Sequence, residues 1–416
     1  MVAMALSLLA ATAMMTTILS AARPRLPEEE AYPVFWAVGG NQSSAFLPGG
    51  SVDVRQWGIK PNNWTQCGGL TAHWPTLDAD MRPMNGGVPQ AVNLTSFLAT
   101  LGANIDRLIP DSQWSGLGVF DFEAWVPVWD ENLGWAGKPV LGPYQRYSVQ
   151  LVRTAHPSWS ADKVLAQAKT EFESAGTALF VAALQHASTL RPKTLWGFYG
   201  MPRGSVGPRN ATDARARALA AARTMLPVWQ ASGALFPSVY LNAAPAPEAI
   251  RAHRLNATVE VAIAAAEMVR EAEGGAARRM PVYPFAWECY EQHEALNGSK
   301  PFLTHFDATM ELISPYNEGA DGLVVWGATV EAQGGANWDT YVDYIRNSTG
   351  PLIANFQRKV AVCSASHCSG HGRCTVVETG VGELRVGSDE CQCFDGFSGP
   401  ACATATAAPP PPSPLL

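Results

Sequence analysis

The sequence predicts an α/β fold, a distorted TIM-like (β/α) barrel followed by a small disulfide-rich module, on three observations. Short apolar segments alternate with helical ones through residues 31–355. One of them, Gly116–Trp129, ends in two carboxylates, Asp121 and Glu123. Six of the eight cysteines crowd between Cys363 and Cys402. Strands separated by helices form parallel sheets, and many successive units argue for closure into a barrel.

The elements follow in order. Pro33–Val38 reads as the first strand, and the Gly/Pro/Asn-rich stretch to about Val88 is too polar and turn-rich for core. Asn93–Leu108 has helical periodicity, and the carboxylate strand follows. Ser160 is placed to cap a long helix in which Val164, Ala168, Phe172, Ala175, Leu179 and Ala183 form a stripe directed at the barrel. Thr194–Tyr199 and Leu235–Tyr240 read as strands on either side of a helix over Asp213–Ala231. A helix from about Pro247 to Ala272 stops at Gly274-Gly275, and the strand Met280–Ala286 succeeds it. Phe306–Ile313 is helical, Gly319–Trp326 is the last clear strand, and Trp338–Arg346 the last helix.

Composition and termini set limits. With 47% hydrophobic and 16% charged residues among 416, the chain has the balance of a folded protein rather than a disordered one. A net charge of -7 and the lack of any Lys/Arg cluster give no footprint for nucleic acid. Residues 1–22 read as a secretory signal ending in Ser20-Ala21-Ala22, and no later apolar run is long enough to span a bilayer. Sequons begin at Asn41, Asn63, Asn93, Asn210, Asn256, Asn297 and Asn347, which fits a glycoprotein. A secreted, extracellular or lysosome-like location is expected. No cofactor and no metal is implied.

In a strand, residues i and i+2 share a face, so Asp121 and Glu123 are expected to look into one cavity while Phe120 and Phe122 turn away. Their Cα atoms would lie about 6–7 Å apart, close enough to flank one scissile bond. Tyr199, Tyr240, the run Cys289-Tyr290-Glu291 and Trp326 also stand at or just past strand ends. That is the face on which barrels assemble active sites.

Gly87-Val-Pro-Gln90, Phe120–Trp129, Trp196–Gly200, Leu235–Tyr240 and Gly322–Trp326 together resemble the hyaluronidases of the animal and venom type, in the order and at about the intervals of that family. The resemblance covers roughly residues 31–402. It implies an endo-β-N-acetylhexosaminidase acting on a glycosaminoglycan or related N-acetylhexosamine polysaccharide, with the substrate's own acetamido group as nucleophile. Glu123 would be the general acid and base, with a proton affinity raised by burial beside Asp121, and Asp121 would orient the acetamido group. Tyr199, Tyr240, Glu291 and Trp326 would contact substrate. Arg203, the cation close behind Tyr199, is a candidate for the uronate carboxylate. The chain departs from the family at Phe122, Val126, Glu291 and Gly200–Val206. A hydrolase of chondroitin or another N-acetylhexosamine glycan, and a non-catalytic glycan-binding protein, therefore stand as alternatives.

By spacing alone, six cysteines allow fifteen pairings. Residues 363–402 resemble an EGF-like module, which implies Cys363–Cys374, Cys368–Cys391 and Cys393–Cys402 and offers a surface for a protein partner. Cys67 and Cys289, the two left over, are expected to pair with each other in an oxidising compartment. Residues 403–416, Ala- and Pro-rich, read as an unfolded tail.

Overall fold

The computed structural model describes residues 32–37, 53–62, 73–132, 141–204, 211–241, 248–275, 278–290, 302–327, 338–380, 383–394 and 396–406. The signal segment, Cys67, Glu291 and residues 407–416 lie outside them. The chain forms two compact units. One comprises His73–Ser115 and Ala124–Leu195; the other contains Gly116–Glu123, the chain from Trp196 onward and the described residues before Ala72.

The first unit is built on three helices. Asn93 caps α1 (Leu94–Leu108) by accepting the Ser96 N–H at 3.1 Å, and Phe97, Leu101, Ile105 and Leu108 form its buried face. Helix α2 (Pro143–Ala155) starts at a proline whose missing N–H is no loss in a first turn. Helix α3 (Ala161–Leu190) is capped by Ser160 and buries Val164, Ala168, Phe172, Leu179 and Ala183. At the expected Ala175 the stripe shifts to Gly176, where an added Cβ would lie 3.2 Å from Pro127 Cβ. The stripe packs on the residues that follow the acids. Trp125 meets Phe172 at 5.4 Å between ring centroids and sends its indole N–H to the Pro75 carbonyl, and Trp129 lies 5.7 Å from Phe172. The buried tryptophans of Trp125–Trp129 thus anchor the chain immediately after Glu123.

The second unit carries the strands. Parallel β1 (Val34–Ala37), β2 (Lys60–Asn62), β5 (Phe285–Trp287) and β6 (Leu323–Trp326) form one sheet in the order β2-β1-β6-β5. Strand β3 (Leu117–Phe120) pairs with β4 (Leu195–Phe198), and their contact includes a bond from Tyr199 N–H to the Phe120 carbonyl and a Phe120–Trp196 ring stack. These are joined by bridges and side chains rather than continuous ladders. Tyr199 bridges to Phe236, Leu235 to Val282 and Ser238 to Phe285, all parallel. On the far side, the amide of buried Asn62 donates to the Leu117 carbonyl at 3.2 Å and accepts the Leu117 N–H at 3.3 Å, taking the place of a backbone pair. The predicted strand over Leu235–Tyr240 is therefore a run of isolated bridges, and the carboxylate strand stops at Phe120.

The helices of this unit differ from expectation where proline intervenes. The helix expected over Asp213–Ala231 is two, α4 (Ala211–Thr224) and α5 (Leu226–Ala231), because Pro227 has no N–H to continue the ladder and its ring clashes with the preceding turn. Helix α6 is Glu248–Ala272, and α7 is His305–Asn317, longer than the expected Phe306–Ile313. Helix α8 (Trp338–Tyr344) passes through a π-helical turn, Ile345–Thr349, into α9 (Gly350–His367).

Helix α9 crosses the expected domain boundary near residue 355 and carries Cys363 in its last turns. Disulfides join Cys363 to Cys374, Cys368 to Cys391 and Cys393 to Cys402, the pairing the resemblance implies. The sulfurs of Cys368, Cys374 and Cys391 lie near one another, but each is already bonded. The hairpin of β7 (Gly372–Gly380) and β8 (Glu383–Cys393) is tied to the end of α7. Buried Arg373 donates to the carbonyls of Tyr316 and Ala320 at 3.1 and 2.8 Å, and the Asn317 amide exchanges two bonds with the Val376 backbone. No helix among the described residues is long and apolar enough to cross a membrane.

Candidate active site

The site is assembled from strand ends of the second unit. The ladder of β3 ends at Phe120, so Asp121 and Glu123 stand in extended chain just beyond it. The alternation nevertheless persists: Phe122 is buried while Asp121 is half-buried and Glu123 exposed. Glu123 is thus not the buried acid that its expected role suggested. The two carboxyls hydrogen-bond to each other, and the Asp121 group is pushed up to about 6, by burial first and then by the negative charge and hydrogen bond of Glu123. A like charge this close makes the Asp121 carboxyl harder to ionise.

Tyr199 follows β4 directly and donates its hydroxyl to Ser238 Oγ at 3.3 Å. Its phenol also hydrogen-bonds that of Tyr240, with ring centroids 5.9 Å apart. Burial raises the proton affinity of both phenols. The charges of Glu123 and Asp121 act on Tyr199, and that of Asp121 also on Tyr240. Asp121, Glu123, Tyr199 and Tyr240 therefore form one electrostatic unit. Phe285 meets Tyr199 edge-on at 5.1 Å, and Trp287 packs on Tyr240 at 5.5 Å.

Trp326 ends β6 and is half-buried. Its register partners are Ala37 on β1 and Trp287 on β5, so three strand ends stand at one level. Arg203 is half-buried, four residues beyond Tyr199, in the segment whose Met201 carbonyl accepts the Phe236 N–H at 3.2 Å. Glu291 lies outside the described residues. Tyr290 before it donates its hydroxyl to Asp307, which also holds Arg251 through two guanidinium bonds of 2.9 and 3.1 Å. Cys289 is a buried free thiol, not half of the expected bridge with Cys67; burial, then Glu288 and Glu311, push its proton affinity up.

Sequence reasoning missed three residues. Ser238 lies two positions before Tyr240, so period-two alternation is the signal that could have found it. Trp287 ends its strand, as Tyr199 and Trp326 border theirs, but the strand was expected to stop one residue earlier. Glu311, buried in the middle of α7, accepts the Trp287 N–H at 3.2 Å. Nothing local in the sequence signalled that contact.

The sequence profile described as hyaluronidase matches residues 70–384. Hyaluronidase-2 of Homo sapiens is 32% identical over 311 residues, which are 72% of this chain and 62% of that protein. Hyaluronidase-1 of Homo sapiens is 31% identical over 310 residues, 72% of this chain and 66% of that protein. The chain thus spans less than two thirds of the length of these relatives. Among solved structures, bee venom hyaluronidase superposes with a TM-score of 0.64 at 26% identity, covering 78% of this chain and 99% of that one. The same venom enzyme in complex with a hyaluronic acid tetramer gives a TM-score of 0.63 at 26% identity, covering 77% and 98%.

Proposed function

The chain belongs to the hyaluronidase family, and from that premise we propose that it is a secreted glycoside hydrolase that cleaves the β-1,4 bonds of hyaluronan with retention of configuration. The observation that carries this reading is the convergence of Asp121, Glu123, Tyr199 and Tyr240 in one electrostatic unit past the ends of neighbouring strands. The fold proposed with it is the distorted barrel, its ring of strands joined by the bridges at Phe236, Val282 and Phe285 and by the Asn62 amide. The catalytic unit would span residues 31–355, with the EGF-like module of residues 363–402 docked on its last helices.

In the proposed mechanism the acetamido carbonyl oxygen of the bound sugar attacks its own anomeric carbon as the bond to the leaving oxygen breaks. Glu123, exposed to the cleft, delivers its proton to that oxygen. Asp121 accepts the acetamido N–H and stabilises the positive charge of the cyclic intermediate. Water, deprotonated by Glu123, then opens the ring and restores the acetamido group. Before substrate binds, Asp121 holds its proton more tightly than an ordinary carboxyl does. An amide N–H donated to Asp121 favours its ionised form, which leaves the proton with Glu123, where the reaction needs it. Tyr199 and Tyr240, neutral at any physiological pH, offer hydroxyls to the acetamido oxygen without competing for that proton. Trp326 would wall the acetyl pocket, with Arg203 and Glu291 contacting the flanking sugars.

The departures at Glu291 and in the segment of Arg203 favour one second reading, a related polymer such as chondroitin, which keeps the acetamido chemistry and changes the sugar contacts. Reducing-end release on hyaluronan, chondroitin and chitin oligomers decides. Release from hyaluronan supports the proposal, release from chondroitin alone moves the substrate, and release from none leaves a glycan-binding protein.

A further inference from the structure

The ladder between the Pro237–Leu241 segment and β5 begins as a regular parallel pair. Phe285 N–H donates to the Pro237 carbonyl at 2.8 Å, and Val239 N–H to the Phe285 carbonyl at 2.9 Å. A parallel ladder continues with Trp287 N–H to the Val239 carbonyl and Leu241 N–H to the Trp287 carbonyl. Neither of those donors follows that course. Trp287 N–H goes to Glu311 Oε2 at 3.2 Å, and the Leu241 backbone lies close enough to the same carboxyl to lower its proton affinity. Both strands thus part at Val239, and a side chain from α7 fills the gap.

We propose that Glu311 is a positioning residue for the candidate active site, its carboxyl splicing the two strands where their ladder opens and so setting the place of Tyr240 against Trp287 and Tyr199. A carboxyl inserted between strands holds them further apart than the ~4.8 Å of a direct ladder. The Tyr240 ring lies beside this opening, 5.5 Å from Trp287 and 5.9 Å from Tyr199 by ring centroids. The Asn62 amide does the same work between β2 and β3 at Leu117, so the ring of strands is spliced by a side chain at two points.

The chemistry of Glu311 suits the task. It is 3% exposed and shares its surroundings with Glu288, also 3% exposed, beside a cavity of about 40 Å³ lined mainly by leucine, isoleucine, valine and alanine. Burial, with the charges of Glu288 and Asp307, pushes its proton affinity well up, so it accepts the Trp287 N–H as a neutral carboxyl. A glutamine amide oxygen can do this equally; a leucine cannot.

The inference rests on the hydrolase reading for its activity arm, and amide exchange supplies an arm that does not. Glu311→Gln, Glu311→Leu, Tyr240→Phe and Glu311→Leu/Tyr240→Phe would be compared by kcat/KM on hyaluronan and by residue-resolved hydrogen–deuterium exchange. Glu311→Gln is expected to stay within about 3-fold of the parent, with the Trp287 and Leu241 amides still protected. Glu311→Leu is expected to lose at least about 10-fold and to speed exchange at those two amides. In the Tyr240→Phe background the further loss should be under about 3-fold, because Glu311 acts through Tyr240. Should Glu311→Leu fail to fold, Glu311→Ser, too short to span the gap between the strands, takes its place. Equal loss in the Gln and Leu variants, an undiminished loss without the Tyr240 hydroxyl, or unchanged exchange in the Leu variant would overturn the proposal. A parent inert on hyaluronan would overturn the substrate instead and leave the exchange arm to decide.

Discussion

Replacing Asp121 with asparagine should make the protein more stable at neutral pH while disabling the site. Unfolded, the Asp121 carboxyl titrates near 3.8; folded, it is pushed up to about 6 by burial and by Glu123. Since the folded state binds this proton more tightly, its contribution to stability is fully present below pH ~4 and is lost as pH rises through about 6. The difference corresponds to roughly 3 kcal/mol at most, and solvent screening of a half-buried group brings the expectation to about 1–3 kcal/mol. Asparagine keeps the shape and the hydrogen bonding but carries no charge to repel Glu123. Urea unfolding at pH 4 and pH 7.5 reads the effect directly. The variant should match the parent at pH 4 and exceed it at pH 7.5, as is common for residues held in strained functional sites. A variant no more stable at pH 7.5 than at pH 4, each relative to the parent, would refute the reasoning.

Three further outcomes are expected. Glu288, pushed up to about 8 by burial, contributes stability that is full below pH ~4.5 and lost as pH rises through 8, so Glu288→Gln should gain on the parent at pH 9 and not at pH 4 in the same unfolding assay. Arg373→Met removes two guanidinium bonds to buried carbonyls and should lower stability by about 3 kcal/mol in thermal unfolding; an unchanged midpoint would mean the disulfide-stapled hairpin is not held by that residue. Arg203→Ala should raise KM on the polymer several-fold with kcat little changed, and an unchanged KM would remove it from the substrate contacts.

Much of the local structure was legible because its causes are local. Asn93 and Ser160 announce their helices by capping chemistry, and the alternation of Asp121, Phe122 and Glu123 survives even though their ladder ends at Phe120. Pro227 was legible in principle as the break between α4 and α5, but the apolar periodicity on both sides hid it. What escaped was set by distant partners. Glu311 reads as the polar side of an amphipathic helix, yet Trp287, whose N–H it accepts, lies 24 residues earlier in the chain. Likewise the Asn62 amide bridges to Leu117 across 55 residues, and nothing in its own neighbourhood marks it as a strand surrogate. Helix α9 is hidden for a related reason: the cysteine spacing from Cys363 onward reads as a separate module, while the helix runs through Cys363 to His367.

The most direct test of the central claim, that Glu123 supplies the proton and Asp121 orients the acetamido nucleophile, compares Glu123→Gln and Asp121→Asn on two N-acetylhexosaminides. One has an ordinary sugar leaving group; the other has an activated leaving group that departs without a proton. On the first, both variants should fall by at least the ~10²–10⁴-fold typical of losing acid–base catalysis. On the second, Glu123→Gln should recover much of its rate and Asp121→Asn little, because only the first defect lies in protonating the leaving oxygen. Equal rescue of the two variants, or parental turnover by either, would contradict the assignment.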